Sequence, residues 1–289
     1  MNNDRKSARG GVRSGRRSGR SQGIRLGWAE IAAVVIVVFC LGFVLGRFTI
    51  TSGEYEGLGE PAEKPLNEYD SSSFYYTDDG RLHYDDDTYT SLQVIDVSYA
   101  QKDIDWEKVA ADGIDMAIVR LGYRGYSSGY LNLDAYYDAN MKGAKKAGIK
   151  TGVYFFSQAV SVEEAREEAK FVLKNIKGYK VKGPIAFDME PIEGADRITH
   201  LTVEEKTAIA DAFCSYLKKK GYDAMVYGNP HWLSGDVDLS LLTKHPVWLA
   251  HYTKMTDWAY WYSMWQYTSK GKVSGIEGKV DMNVMLVKK

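Results

Sequence analysis

Two carboxylates stand one residue apart in Asp188-Met189-Glu190, directly after the apolar approach Pro184-Ile185-Ala186-Phe187. On a β-strand, residues i and i+2 face the same side and lie about 6.6 Å apart along it. Two acids so placed repel each other unless one holds a proton or a ligand separates them. Cleavage of a glycosidic bond uses that division of labour: one carboxyl protonates the leaving oxygen while the other stays ionised. A lone Asp-x-Glu is more often structural, with one acid binding an arginine and the other facing water. Here a third acid, Asp96, ends another apolar segment, Val94-Ile95, and turns the reading toward catalysis. Further polar and aromatic residues close other strand-like segments: Arg120, Phe156-Ser157-Gln158, Tyr227, Trp248, Gln266 and Asp281. Aromatic residues make up 13% of the chain and crowd its last third, where their flat faces suit pyranose rings, although most are expected to be packing.

Other chemistries find little support. The five histidines show no metal-ligand spacing with one another or with cysteine. There is no Gly-x-Ser-x-Gly elbow and no P-loop, and the Gly122-Tyr123-Arg124-Gly125 turn lacks the dinucleotide fingerprint. No metal or other cofactor is expected.

The elements that must position these residues alternate from residue 92 onward. Strands are predicted at Val94–Val97, Met116–Leu121, Lys150–Phe156, Pro184–Asp188 and Asp223–Tyr227. Helices are predicted from about Asp105 to Gly113, across Ala135 to Ala147, after Ser161 and after Thr202. Ser161 with Glu164, and Thr202 with Glu205, have capping-box spacing. Beyond Tyr227 the helical signals fade, leaving short strands at Val247–Ala250, Met264–Tyr267 and Val280–Val284. Repeated strand–helix units predict a parallel α/β sheet, open or closed. Eight strands in under 200 residues would make a compact barrel with its last helices reduced, and a barrel carries its site at the C-terminal strand ends.

Charge divides the rest of the chain. The net charge of -1 conceals a strong asymmetry. Residues 1–27 carry eight Lys and Arg against Asp4 alone, and residues 51–91 carry eleven carboxylates against Lys64 and Arg81. The basic tail has too little apolar surface to fold, and a nucleic-acid-binding arm would be one use for it. The apolar run Ile31–Leu45, extended to Trp28 and Ile50, argues instead for a single transmembrane helix over 28–50 and against a nucleic-acid partner. By the positive-inside rule the tail then lies in the cytoplasm and everything after residue 50 faces outward. A cleaved signal peptide is the competing reading. Residues 51–91 read as a solvated acidic linker whose tyrosines could dock part of it. Cys214 sits at helical spacing with Ala210, Phe213 and Leu217 and reads as a core residue.

The motifs together resemble a known family. Val94-Ile95-Asp96-Val97-Ser98, Ile118-Val119-Arg120-Leu121-Gly122-Tyr123-Arg124, Gly152-Val153-Tyr154-Phe155-Phe156-Ser157-Gln158-Ala159, Ala186-Phe187-Asp188-Met189-Glu190, Trp265-Gln266-Tyr267-Thr268-Ser269 and Val280-Asp281-Met282-Asn283 follow one another as in the glycoside hydrolase family 25 lysozymes, the cell-wall muramidases. The likeness covers about residues 93–287. It implies an incomplete TIM-like barrel, (β/α)5(β)3, over 92–289. It also implies hydrolysis of the β-1,4 bond between N-acetylmuramic acid and N-acetylglucosamine in peptidoglycan. By position Glu190 is similar to the general acid and Asp188 to the carboxylate that supports developing positive charge or the acetamido group. Asp96 and Asp281 would orient substrate or water. Tyr154, Trp248 and Gln266 would contact sugar, with Arg120 and Tyr227 as further candidates. Rival readings are a hydrolase of another N-acetylated polymer such as chitin, and a non-catalytic wall-binding module.

Overall fold

The computed structural model describes residues 56–289; the basic tail, the apolar run over 28–50 and the first residues of the acidic stretch lie outside the described residues. Among the described residues no helix is long and apolar enough to cross a membrane.

Two short strands come first, β1 (Phe74–Tyr76) and β2 (Leu82–Tyr84), paired as an antiparallel hairpin. There follow β3 (Tyr89–Val97), α1 (Trp106–Ala111), β4 (Met116–Arg124), β5 (Leu131–Leu133), α2 (Tyr137–Lys146), β6 (Lys150–Phe156), α3 (Val162–Asn175), β7 (Ile185–Asp188), α4 (Val203–Lys219) and β8 (Ala224–Gly228). The chain ends with β9 (Val247–Ala250), β10 (Met264–Gly271) and β11 (Val280–Lys288). Strands β3, β4, β6, β7, β8, β9 and β10 run parallel as successive neighbours. Strand β11 lies antiparallel between β10 and β3 and closes the ring of eight. The short β5 hangs on β4 outside that ring.

Side chains alternate with the pleat. Val94, Met116, Ile118, Ala186, Met225, Trp248 and Met264 cluster together as the barrel interior. Their neighbours Ile95, Val119, Phe155, Phe187, Val226 and Leu249 belong to a second cluster, shared with the helices outside. Helix starts follow the sequence signals. Asp105 caps α1, and Thr202 with Glu205 forms a complete capping box on α4. Ser161 caps α3, but Glu164 reaches past it: its carboxylate accepts from Val160 N (2.9 Å) and holds Arg197 (2.6 Å). In α2, a Cβ on Gly143 would lie 2.1 Å from the Trp106 ring, so glycine is what lets α1 and α2 touch.

One expectation is corrected. Four strands of the ring are followed by α-helices, not five. The crossover after β8 is a π-helical turn (Trp232–Asp236) and a 3₁₀ turn (Leu239–Leu241), in a stretch interrupted by Pro230 and Gly235. The acidic stretch, read as a linker whose tyrosines could dock part of it, packs on the barrel over much of its described part. Leu82 and Tyr84 are fully buried, and Tyr69 and Phe74 nearly so. Phe74 meets Trp265 edge-on at 5.6 Å, and the Tyr69 hydroxyl donates to Tyr262 O at 2.8 Å. Ala62, Pro65 and Asn67 pair by backbone with Ser240, Trp261 and Ala259. The segment thus wraps the outside of β10 and its neighbours, where no α-helix follows the strand. Its carboxylates point away while a few aromatic and aliphatic side chains do the packing.

Replacing Leu82 by Ala is therefore expected to cost about 3 kcal/mol. In this size range that lowers the thermal midpoint by about 10 °C. Tyr75→Ala, on the half-exposed side of the same hairpin, is expected to cost far less. Equal midpoints for the two variants in a calorimetric scan would show that the hairpin is not part of the core.

Candidate active site

A hydrogen-bonded chain of side chains spans the interior beneath the barrel mouth. Trp248 Nε1, which can only donate, gives its proton to Asn283 Oδ1 at 2.7 Å. That leaves the Asn283 amide nitrogen facing Asp96 Oδ2 at 2.9 Å. From the other side the hydroxyls of Tyr227 (3.0 Å) and Tyr252 (2.8 Å) donate to Gln266 Oε1, and Gln266 Nε2 donates to the same Asp96 oxygen at 2.8 Å. Both amide orientations follow from the donors around them, and Asp96 is the common acceptor.

Asp281 is brought to this floor by the reversed direction of β11. It sits at the start of that strand, directly opposite Asp96 at the end of β3. Asp188 ends β7 and is buried, and one of its oxygens, Oδ1, has no hydrogen-bond partner. Glu190 lies two residues on, past the end of the strand, so the expected same-face pair on one strand is not how the two acids meet. Their backbone is held instead: Ser157 N donates to Asp188 O (2.6 Å) and Gln158 Nε2 to Glu190 O (2.9 Å). Asp96, Asp188, Glu190 and Asp281 nevertheless open into one cavity of about 270 Å³, together with Arg120, Tyr154, Phe156, Tyr227, Trp248, Tyr252 and Gln266.

Four acids in one cavity resist ionising together. Burial, then the charge of Asp281, push Asp96 up to about 8, against the pull of the Asn283 and Gln266 amides. Burial raises Asp188 well above the carboxylate range, helped by Glu190 and Asp96 and opposed by Arg120. Glu190 is raised by burial and by Asp281, and burial lifts Asp281 itself to about 6. The site therefore retains protons near neutrality. Arg120 is the cation in the cavity, and Asp134 grips it through Nε and the terminal nitrogen, both at 2.7 Å. Its guanidinium lies over the ring of Tyr99 at 4.7 Å. Among the described residues no group of three His, Cys, Asp or Glu side chains could hold a metal.

All nine residues that the family likeness marks as site candidates line this cavity: Asp96, Arg120, Tyr154, Asp188, Glu190, Tyr227, Trp248, Gln266 and Asp281. Of the other strand-end residues, Phe156 joins them and Ser157 and Gln158 do not. Three participants were missed. Asn283 follows Asp281 by two on the same strand, a spacing that places it on the same face. Tyr252 lies in the loop after β9 among other aromatics. Asp134 lies after β5, and nothing in the sequence ties it to Arg120.

The sequence profile described as glycosyl hydrolases family 25 matches residues 95–276, more than half of the chain. The chain belongs to that family. This glycosyl hydrolase is 27% identical over 207 residues to Lysozyme M1 of Streptomyces globisporus, covering 67% of each chain. It is 25% identical over 193 residues to the autolytic lysozyme of Clostridium acetobutylicum, covering 66% of this chain and 55% of that protein. Among solved structures, the modular autolysin LytC of Streptococcus pneumoniae aligns with a TM-score of 0.62 at 27% identity, over 77% of this chain and 52% of that one. The hydrolase thus spans only about half the length of some of its relatives. The lysozyme of Streptomyces coelicolor, at 24% identity and a TM-score of 0.54, shares the fold.

The crowded acids also set how stability responds to pH. A carboxyl whose pKa is raised by folding keeps its proton more tightly than in the unfolded chain, where it titrates near 4. Its stabilising contribution is complete below that value and is lost as pH rises through the folded pKa. Asp188, with its partnerless oxygen, belongs to this class. Asp188→Asn is therefore expected to raise the thermal midpoint relative to wild type, by more at pH 8 than at pH 5. A difference that stays constant between those two pH values would contradict this electrostatic account.

Proposed function

We propose that the barrel hydrolyses the β-1,4 bond between N-acetylmuramic acid and N-acetylglucosamine in peptidoglycan, with Glu190 as general acid and Asp188 as the supporting carboxylate. The observation that carries this reading is the set of four carboxyls with raised pKa values at the mouth of a family 25 barrel. A structure of the LytC autolysin is described as a complex with a synthetic peptidoglycan ligand, and that chain aligns with this one at a TM-score of 0.63 and 27% identity. The two curated relatives named above are lysozymes.

The division of roles follows from position. Glu190 stands beyond its strand and is only partly buried, where a glycosidic oxygen can reach it, and burial with the charge of Asp281 raises its pKa, the direction a general acid needs. Asp188 is buried beneath it with one oxygen unengaged, free to face positive charge on the ring carbon or the N–H of an acetamido group. Bound substrate supplies Asp188 with an acetamido N–H and a growing positive charge, both of which favour its ionised form, its proton leaving to solvent. As the leaving oxygen takes the Glu190 proton, that carboxylate stabilises the transition state more than the ground state. Glu190, now ionised, can take a proton from the incoming water. Asp96 is held by two amides and fixes the floor, Asp281 tunes Glu190, and Tyr154, Trp248, Gln266, Tyr227 and Arg120 form the walls that meet the sugar. On the same reading the apolar run over 28–50 is a membrane anchor, with the basic tail in the cytoplasm and the barrel outside a bacterial cell membrane.

The test is release of reducing ends from purified peptidoglycan by the full-length protein, with products identified by mass spectrometry. Reducing N-acetylmuramic acid ends are expected, reduced by about 10³-fold or more in Glu190→Gln with the fold intact. Substantial activity in that variant would sink the role of Glu190. Chitin cleaved in preference to peptidoglycan would sink the substrate, and no release from any wall would leave a binding module.

The pH profile provides an independent check. Activity that needs protonated Glu190 falls on the alkaline side as that group ionises. Asp281 raises the Glu190 pKa, so Asp281→Asn is expected to move the alkaline limb of kcat/KM to lower pH. A limb that stays in place, or moves up, would show that another group sets it.

A further inference from the structure

A second, larger hollow adjoins the catalytic cavity. It encloses about 880 Å³ between the tip of the β1–β2 hairpin, the loop after β9 and the outer half of β10. The hairpin turn is tight, with Thr77 N bonded to Arg81 O at 2.9 Å and Gly80 in the left-handed region at φ 79°. Tyr76 pins it to the barrel, donating its hydroxyl to Lys254 O at 3.1 Å and meeting Tyr267 edge-on. Tyr252 lines both this groove and the catalytic cavity. Because the Tyr252 hydroxyl is tied to Gln266, its ring stands as a fixed boundary post between the two.

The groove is cationic. Lys254, Lys270 and Lys272 line it and are exposed, and none of them forms an ion pair among the described residues. The acid in its lining, Asp79, is already matched by Arg81 Nε at 3.2 Å. Hydroxyls of Thr253, Thr268 and Ser269 complete the polar wall. On the opposite side of the catalytic cavity lies a hollow of different character, about 520 Å³, lined by Tyr99, Tyr123, Tyr126 and Leu133. It joins the cavity through Arg120 and Phe156. Aromatic faces suit uncharged sugar rings, whereas three unpaired ammonium groups suit anions.

We propose that the groove under the N-terminal hairpin binds the stem-peptide carboxylates of the wall polymer whose glycan strand enters the catalytic cavity, an inference that rests on the peptidoglycan reading above. Peptidoglycan carries those carboxylates on the peptides that hang from its N-acetylmuramic acid residues, so an anion site next to the cleavage point is filled by the substrate itself. The hairpin wall, residues 74–84, lies outside the family match at 95–276, whereas the three lysines that face it lie inside that match. Exposed ion pairs are individually weak, so three lysines together supply a modest and salt-sensitive gain in substrate affinity.

The experiment compares the full-length protein with the K254Q/K270Q/K272Q variant on two substrates. Both are peptidoglycan freed of phosphate-linked polymers, one intact and one stripped of its stem peptides by an amidase. On the intact wall the variant's KM is expected to rise about three- to tenfold at unchanged kcat. On the stripped glycan the variant and wild type should match. The wild-type advantage on intact wall should also shrink as salt is raised. Co-sedimentation with the same two preparations in the Glu190→Gln background reads the groove without catalysis. There the lysine variant is expected to lose binding to intact wall only. Equal losses on both substrates, or no loss on either, would overturn the proposal, as would an effect that returns only when phosphate-linked polymers are left on the wall. A wild-type protein that cleaves neither substrate would refute the catalytic reading, while the co-sedimentation ratio would still decide the groove.

Discussion

The direction of one strand governs much of this molecule. Strand β11 closes the ring antiparallel to both its neighbours, and this has an outer and an inner consequence. Outside, no α-helix follows β9, β10 or β11, so Trp265, Tyr267, Val284 and Leu286 need some other cover. A sheet with both faces apolar is stable only when both are covered. The segment ahead of β3 provides that cover with Tyr69, Phe74, Leu82 and Tyr84. Inside, the reversed strand begins where the parallel strands end. Asp281 therefore reaches the mouth of the barrel beside Asp96, instead of lying at the far end.

The polar floor then fixes what each acid can do. Asp96 receives two amide protons on one oxygen, and each amide is itself oriented by a group that can reach it only as a donor. Such a network resists rearrangement, because turning either amide would leave a buried donor or acceptor without a partner. Asp188 is not held in this way, and Glu190 stands at the rim. Rigidity is thus placed below and freedom to exchange protons above, the arrangement an acid–base site needs if its dipoles are not to reorganise during reaction.

Much of this was legible where periodicity and burial agree. Strands β6 and β9 begin and end where the sequence puts them, because their apolar runs are bounded by turn residues. All nine candidate site residues share one cavity for a related reason: a barrel collects strand ends, so marking strand ends marks the site. The failures are equally physical. The covering segment has eleven acids over residues 51–91, and its strands are three residues each, too short for alternation to show. Its apolar side chains are few, and their burial is decided by a distant face of the barrel that no local pattern reveals. The hold of Asp134 on Arg120 escapes for a similar reason, since it joins a strand to the turn after another strand by a contact that only the fold creates. The fifth helix was a matter of family expectation, and Pro230 and Gly235 already argued against it locally.

The two faces of the covering segment answer different demands. Its inward side must match an apolar wall, which fixes Phe74, Leu82 and Tyr84 and with them the position of the hairpin. Once the hairpin is placed, its tip stands beside Lys254 at the rim, where the Tyr76 hydroxyl donates to Lys254 O. A barrel whose last helices are replaced by a strap therefore gains a raised wall on one side of its mouth. On the other side the rim is built by the turns after β3, β4 and β5 and stays aromatic. A polymer lying across such a mouth meets unlike surfaces on its two flanks, so its two directions are not equivalent. Closure of the barrel and polarity of the cleft have the same structural cause.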